Sequence, residues 1–136
     1  MKGLASSFAD HQDNLVYQRA LITHLRGGAS QELAEARARK VGDPGVGWVD
    51  NDLHDGQPWI ALPYEDWQTK WGTKRKAHRK PVLVMIKGKT VRCLLGDTMP
   101  HKANIRNGAV IDLAPGAQEA FGLTAPFLVP CSWEWA

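Results

Sequence analysis

Three aspartates stand where a sheet can present a carboxyl to a substrate. Asp97 lies at a strand end in Asp97-Thr98-Met99-Pro100, where a side chain can project from the mouth of a β-structure. Asp112 closes the apolar run Ala109-Val110-Ile111, and Asp10 closes the run that begins at Leu4. A carboxyl raised by burial or by a second carboxylate can hold a proton near neutral pH and then donate it. Cleavage of a glycosidic bond is one use for such a pair. It needs an acid on the leaving oxygen and a second group that stabilises the cation, attacks it or activates water. Each aspartate also has a plainer role open to it. Asp112 can cap the helix that opens at Pro115 or bond loop amides. Asp97 can be a turn residue in Gly96-Asp97-Thr98, and Asp10 can cap the helix around Leu15.

Other side chains are candidates for holding a substrate or for the core. His101 and Lys102, just after Pro100, can reach the same mouth or lie in a surface loop. Trp48 and Trp67 are the better candidates for stacking on sugar rings, whereas Trp59 and Trp133 read as core or rim. His11, His24, His54 and His78 share no ligand spacing, so no metal site is expected. The acid-rich loop Asp50 to Gly56 lacks the bidentate Glu of a calcium loop. Cys93 and Cys131 form no Cys-x-x-Cys and are either two buried thiols or one bridge. No P-loop, GxGxxG or Gly-x-Ser-x-Gly is present, and no cofactor is expected.

The charge is unevenly spread. The net charge is +3, yet Lys70, Lys74, Arg75, Lys76, Arg79 and Lys80 supply six cations with no acid among them. This is a solvated loop or a polyanion contact. Only Trp67 and Trp71 lie nearby, which argues against a single-stranded nucleic acid as partner.

Several elements must position these residues. The chain has 136 residues, 43% of them hydrophobic, which suits one domain over residues 1–136. No apolar run approaches the length of a bilayer span, and the opening Met1-Lys2-Gly3 carries no apolar signal segment. Alternation predicts a strand over Leu4–Ala9. A helix follows over Leu15–Leu25, with Leu15, Leu21, Ile22 and Leu25 on one face and Asp13 or Asn14 as cap. A more polar helix over Ser30–Lys40 is capped by Ser30. Residues 41–58, rich in Gly and Asp, read as loop. Next come a short strand at Ile60–Leu62 and a short helix at Glu65–Trp71. Strands at Val82–Lys87 and Thr90–Leu95 flank a Gly88 turn. A strand at Ala109–Leu113, a helix at Pro115–Phe121 stopped by Gly122, and a strand at Phe127–Trp133 complete the chain. Short strands without regular strand–helix alternation predict a small barrel.

Two stretches give this order a resemblance. Val91-Arg92-Cys93-Leu94-Leu95-Gly96-Asp97-Thr98-Met99-Pro100 is similar to the rare lipoprotein A strand that ends in Asn-Asp-Arg-Gly-Pro. Asn107-Gly108-Ala109-Val110-Ile111-Asp112-Leu113-Ala114-Pro115, followed by Ala117, Ala120 and Gly122-Leu123, is similar to Gly-Arg-Ile-Ile-Asp-Leu-Ser of the same group. Ile60-Ala61-Leu62-Pro63 and Gly3 to Asp10 fit two further strands. The chain thus resembles the double-psi β-barrels of rare lipoprotein A, expansins and family 45 endoglucanases over residues 3–10 and 58–133. Thr98 and Met99 replace the Arg and Gly of the first motif, and Val110 stands where expansins carry His.

The resemblance implies a mainly β, six-stranded double-psi barrel with residues 11–41 as a helical insertion. It implies a lytic transglycosylase or lysozyme-like enzyme acting on peptidoglycan at the bacterial cell wall. The enzyme would be secreted, periplasmic or phage-delivered. Asp97 would be the acid and Asp112, or Asp10, its charged partner. The alternatives are a non-catalytic polysaccharide-binding or inhibitor-type barrel, which the lost Arg and His favour, or a structural phage component.

Overall fold

Strands form where alternate residues can be kept dry on one side. In β3 (Pro81–Ile86), Val82, Val84 and Ile86 are buried while Met85 faces out, the period-two pattern of a half-covered sheet. The computed structural model describes residues 1–136. Its other strands are β1 (Lys2–Ser7), β2 (Trp59–Pro63), β4 (Lys89–Met99), β5 (Ala109–Leu113) and β6 (Leu128–Trp135). They close a barrel in the order β1-β5-β2-β4-β3-β6. β1 and β5 pair in parallel, as do β2 and β4, and the four other pairings are antiparallel. Ile60, Leu62, Val82, Val84, Leu95, Ile111 and Leu113 fill the interior with no exposed surface. β2 is buried at all five positions, because it has a strand on each side and cover on both faces.

Two register shifts shape the barrel. In β2/β4, Ile60 pairs with Leu95 but Ala61 pairs with Asp97, so Gly96 is an extra residue in β4. In β1/β5, Leu4 pairs with Ala109 but Ala5 pairs with Ile111, so Val110 is the extra residue. A bulge bends its strand and re-aims the side chains beyond it. Gly96 has no room for a side chain, since a Cβ there would lie 2.7 Å from the Trp59 ring and 3.0 Å from Asn51. The strand expected to end at Leu95 therefore continues to Met99, and Asp97 lies within a strand rather than in a turn.

Five helices connect the strands: α1 (His11–Arg26), α2 (Gln31–Ala38), α3 (Tyr64–Trp71), α4 (Lys74–Ala77) and α5 (Pro115–Phe121). α5 ends as expected at Gly122, which takes the left-handed conformation at φ 68. The Ser30 hydroxyl accepts from the Leu33 amide and caps α2. The cap expected for α1 is not formed. Asp10 holds the cap position without a capping bond, and the Asn14 side chain donates instead to the Pro44 carbonyl at 2.9 Å. The expected inner face of α1 is also rotated, with Leu21 alone of its four residues half-buried. Leu15, Ile22 and Leu25 are exposed and Tyr17 is buried, because α1 packs chiefly on α2 with its Ala34 and Ala38. The basic loop contains α4, whose Lys76 amide is held by the Thr73 hydroxyl. No helix is long and apolar enough to cross a membrane.

Cys93 and Cys131 are both free. Cys93 sits opposite Val82 of β3 and Cys131 opposite Gly3 of β1. Burial pushes the Cys93 thiol up to about 12 and that of Cys131 up to about 11.

Candidate functional site

The bulges bring two of the three candidate carboxylates into one row. Ser6 of β1 lies opposite Asp112 of β5, Asp112 lies opposite Ala61 of β2, and Ala61 lies opposite Asp97 of β4. Residues opposite one another across strands share a face. Asp112 and Asp97 therefore flank Ala61, which is itself buried with Met99 and Ala109. Two strand spacings put their Cα atoms about 10 Å apart. Each aspartate lies just beyond the extra residue of its strand, Asp97 one residue after Gly96 and Asp112 two residues after Val110, in the two parallel pairings.

The two carboxyls have different surroundings. Asp112 accepts a hydrogen bond from the Ser6 hydroxyl. Burial pushes it up to about 6, the Ser6 bond works against this, and the Asp97 charge adds to it. Asp97 is also pushed up to about 6 by burial, with a contribution from Asp43. The Thr98 amide donates to its carboxylate at 2.8 Å. The Trp48 amide and the Lys74 charge pull in the same direction and favour the ionised form. The Trp48 amide can reach Asp97 because Gly47 packs on the Gly96 carbonyl, with its Cβ position 3.3 Å from that of Asp97. A side chain at position 47 would lift the loop away.

Asp112 borders a cleft of about 320 Å³ with Met99, Pro100, Asn104, Ile105, Arg106 and Asn107. Asp97 does not line this cleft and lies under the Gly47–Trp48 loop. In chemical terms, Asp112 can pass a proton to a group in the cleft. Asp97, held by two amides, is the better placed of the two to carry negative charge.

Asp10 is not part of this row. Its carboxylate accepts from the Gln118 side chain at 2.9 Å, on the wall of a separate cavity of about 930 Å³ that includes His11, Asp13 and Glu119. Asp13, in that wall, is raised by burial and by the charges of Asp10 and Asp43. The turn after β1, where Ala9 takes φ 55, carries Asp10 away from the barrel row.

Trp48 and Trp67 are not sugar platforms. They are 6% and 2% exposed and meet edge to face at 5.0 Å within the core. Trp48 donates to the His78 ring at 3.1 Å and Trp67 to the Thr98 hydroxyl at 2.8 Å. Both tryptophans therefore support Asp97 from behind, by holding its loop and its neighbour. His101 and Lys102 are also engaged elsewhere. The His101 ring packs on Tyr64 at 4.3 Å and lies 3.8 Å from Glu65, and Lys102 pairs with Asp66 at 2.9 Å. These contacts fasten the 101–104 turn to α3 and leave neither side chain on the Asp112 cleft.

Nothing in the local sequence marks Ser6 or the Gly47–Trp48 cover as partners of the aspartates. Asn104, Arg106 and Asn107 also went unnoticed. Only Gly96 carried a signal, since a glycine inside a strand pattern marks a bulge or a close approach.

No family model matches this sequence, and no curated protein matches it. Among solved structures, the Streptomyces papain inhibitor is similar over 100% of this chain and 93% of its own, with a TM-score of 0.53 and 17% identity. At that identity the likeness concerns the fold: this chain shares the overall barrel architecture of that inhibitor.

Proposed function

We propose that the chain is a double-psi β-barrel that cleaves glycosidic bonds in bacterial cell-wall glycan, with Asp112 as the proton donor. The observation that carries this reading is the Asp112–Ala61–Asp97 row, which holds two desolvated carboxyls side by side with one of them on a polar cleft. The double-psi assignment is supported by the two parallel pairings, each with a bulge shortly before its aspartate. In this reading the roles expected from the sequence are exchanged. Asp112, raised to about 6, protonates the leaving oxygen. Asp97 is raised to about the same value, and the Thr98 and Trp48 amides on its carboxylate give it the role of the charged partner that favours the developing cation. Asn104, Arg106 and Asn107 offer donors to sugar hydroxyls. A second, water-activating base is not needed if the sugar's own 6-hydroxyl closes on the anomeric carbon, as in a lytic transglycosylase.

The test is incubation of purified peptidoglycan with wild type, Asp112→Asn and Asp97→Asn, followed by mass spectrometry of the soluble products. Wild type is expected to release fragments and Asp112→Asn to release almost none. Anhydro ends would identify a transglycosylase, and reducing ends a hydrolase that uses the Asp97 side for water. No release from several wall types would end this reading.

A second reading has its own observation in favour. The Streptomyces papain inhibitor is similar across the whole of this chain, and Asp97 is closed by amides as a purely structural residue would be. Under that reading the barrel is an inhibitor-type binding module. Stoichiometric inhibition of papain by a protein that leaves peptidoglycan intact would establish it.

A further inference from the structure

The corner of the molecule formed by α3 and α4 has a charge pattern that the carboxylate row does not use. Between Asp66 and Asp97 the chain has no acidic residue. Six of its cations gather at this corner: Lys70 ends α3, Lys74, Arg75 and Lys76 make up most of α4, and Arg79 and Lys80 follow. The two ion pairs in the molecule join His101 to Glu65 and Lys102 to Asp66, so none of the six is paired. The carboxylates that feel them are Asp97, which senses Lys74, and Asp55, which senses Arg79.

Three of the cations are also held in place. Lys80 and Lys70 lie over Trp71 at 4.5 and 5.6 Å, and Arg79 lies over Trp59 at 5.2 Å. Such contacts reduce the freedom that a long basic side chain loses on binding. The Thr73 hydroxyl caps the backbone of α4, which carries three of the cations, and the Arg79 amide is tied to the Leu95 carbonyl at 2.8 Å. The same stacking decides the type of partner. Trp71 has lysines over its ring and its indole nitrogen is buried, while Trp59 is fully buried beneath Arg79. No free aromatic face remains at this corner for a nucleobase to stack on, although stacking is the usual second component of single-strand binding.

We propose that the α3–α4 corner docks a linear phosphodiester polymer without bases, such as a polyol phosphate. Binding rests on phosphate contacts and counterion release. It does not depend on the glycosidic-cleavage reading, because the test reads binding alone.

The test is titration of the full chain with synthetic poly(glycerol phosphate), with single-stranded DNA of equal charge and with neutral dextran, over a range of salt. The expected result is binding to the polyol phosphate with an affinity that falls steeply as salt rises, with a log–log slope of about −2 to −4 for three to six phosphates. DNA should bind no more tightly, and dextran should not bind. Arg75→Glu with Lys76→Glu should weaken binding at least about tenfold at low salt. The control Arg37→Glu with Arg39→Glu, on the exposed face of α2, changes net charge equally and should leave most of the affinity. Tighter binding to DNA would reassign the corner to nucleic acid. A loss of the same size in the α2 control would reduce the effect to net charge, and a salt-independent affinity would remove the phosphate contacts. Each of these three results overturns the proposal.

Discussion

The barrel and the α1–α2 pair use apolar residues in opposite ways. In the barrel, every inward position of β2, β3 and β5 is dry, and even a small residue such as Ala61 has a fixed place. In the helical pair, Leu15, Ile22 and Leu33 are 49%, 47% and 43% exposed, and the buried contact is made by Tyr17 with Ala34 and Ala38. A Cβ at Gly42 would run into the backbone of Tyr17 and Asp13, so the chain closes on α1 through its smallest residue. Rigidity in this molecule therefore follows interdigitation rather than the number of leucines. The carboxylate row rests entirely on barrel strands, where position is fixed by register. The helical pair contributes only its first turn, to the separate Asp10 cavity.

Truncation should be costliest in the core of the barrel. Trp59→Ala should cost about 3–5 kcal/mol, because a fully buried ring is lost from between β2 and its cover. Urea denaturation measures it, and a cost near that of an exposed helix residue would mean the barrel is not the stability core.

The next effect separates stability from function within the barrel. An acid raised from 3.8 to about 6 favours folding when protonated. That contribution is present below about pH 4 and is lost as pH rises through about 6. Asp112→Asn should therefore be more stable than wild type at pH 7, by on the order of 2–3 kcal/mol. The two proteins should be level near pH 4. Thermal melts at both pH values check this, and equal stability at pH 7 would mean that Asp112 is not desolvated.

A smaller effect is expected in the helical pair. Ser30→Ala removes the α2 cap and should cost about 1 kcal/mol of local helix stability. It should appear as faster amide exchange in α2 with an unchanged global midpoint, the result expected of a pair that opens separately from the strands. A shifted midpoint would mean that pair and barrel unfold as one. The smallest effect is expected at Leu15→Ala and Ile22→Ala, which should stay within about 0.5 kcal/mol of wild type. A larger loss would show that this face is covered in solution.

Much of this architecture was legible in local sequence. The Val82–Ile86 alternation, the Gly88 turn, the Ser30 cap and the Pro115-to-Gly122 helix depend on residues within a few positions of one another, and the structure has them where expected. So does Asp112 at the end of an apolar run. The reading faltered where a residue's partner lies far along the chain. Helical spacing located a face on α1, but periodicity does not say which face meets a neighbour, and α2 took the other one. Trp48 and Trp67 were read as sugar platforms because composition does not reveal that the two rings face each other inside the core.

Local sequence was enough for the six strands and four of the five helices, and it offered three candidate aspartates. Hydrophobic period, turn chemistry and caps are local, and each is written in adjacent residues. Only the tertiary structure decided that Asp97 and Asp112 share a row, that Asp10 leaves it, and that one carboxyl opens on a cleft while the other lies under a loop. Those outcomes follow from two bulges and from the approach of Gly47 to Gly96, contacts between residues tens of positions apart that closure of the barrel alone brings together.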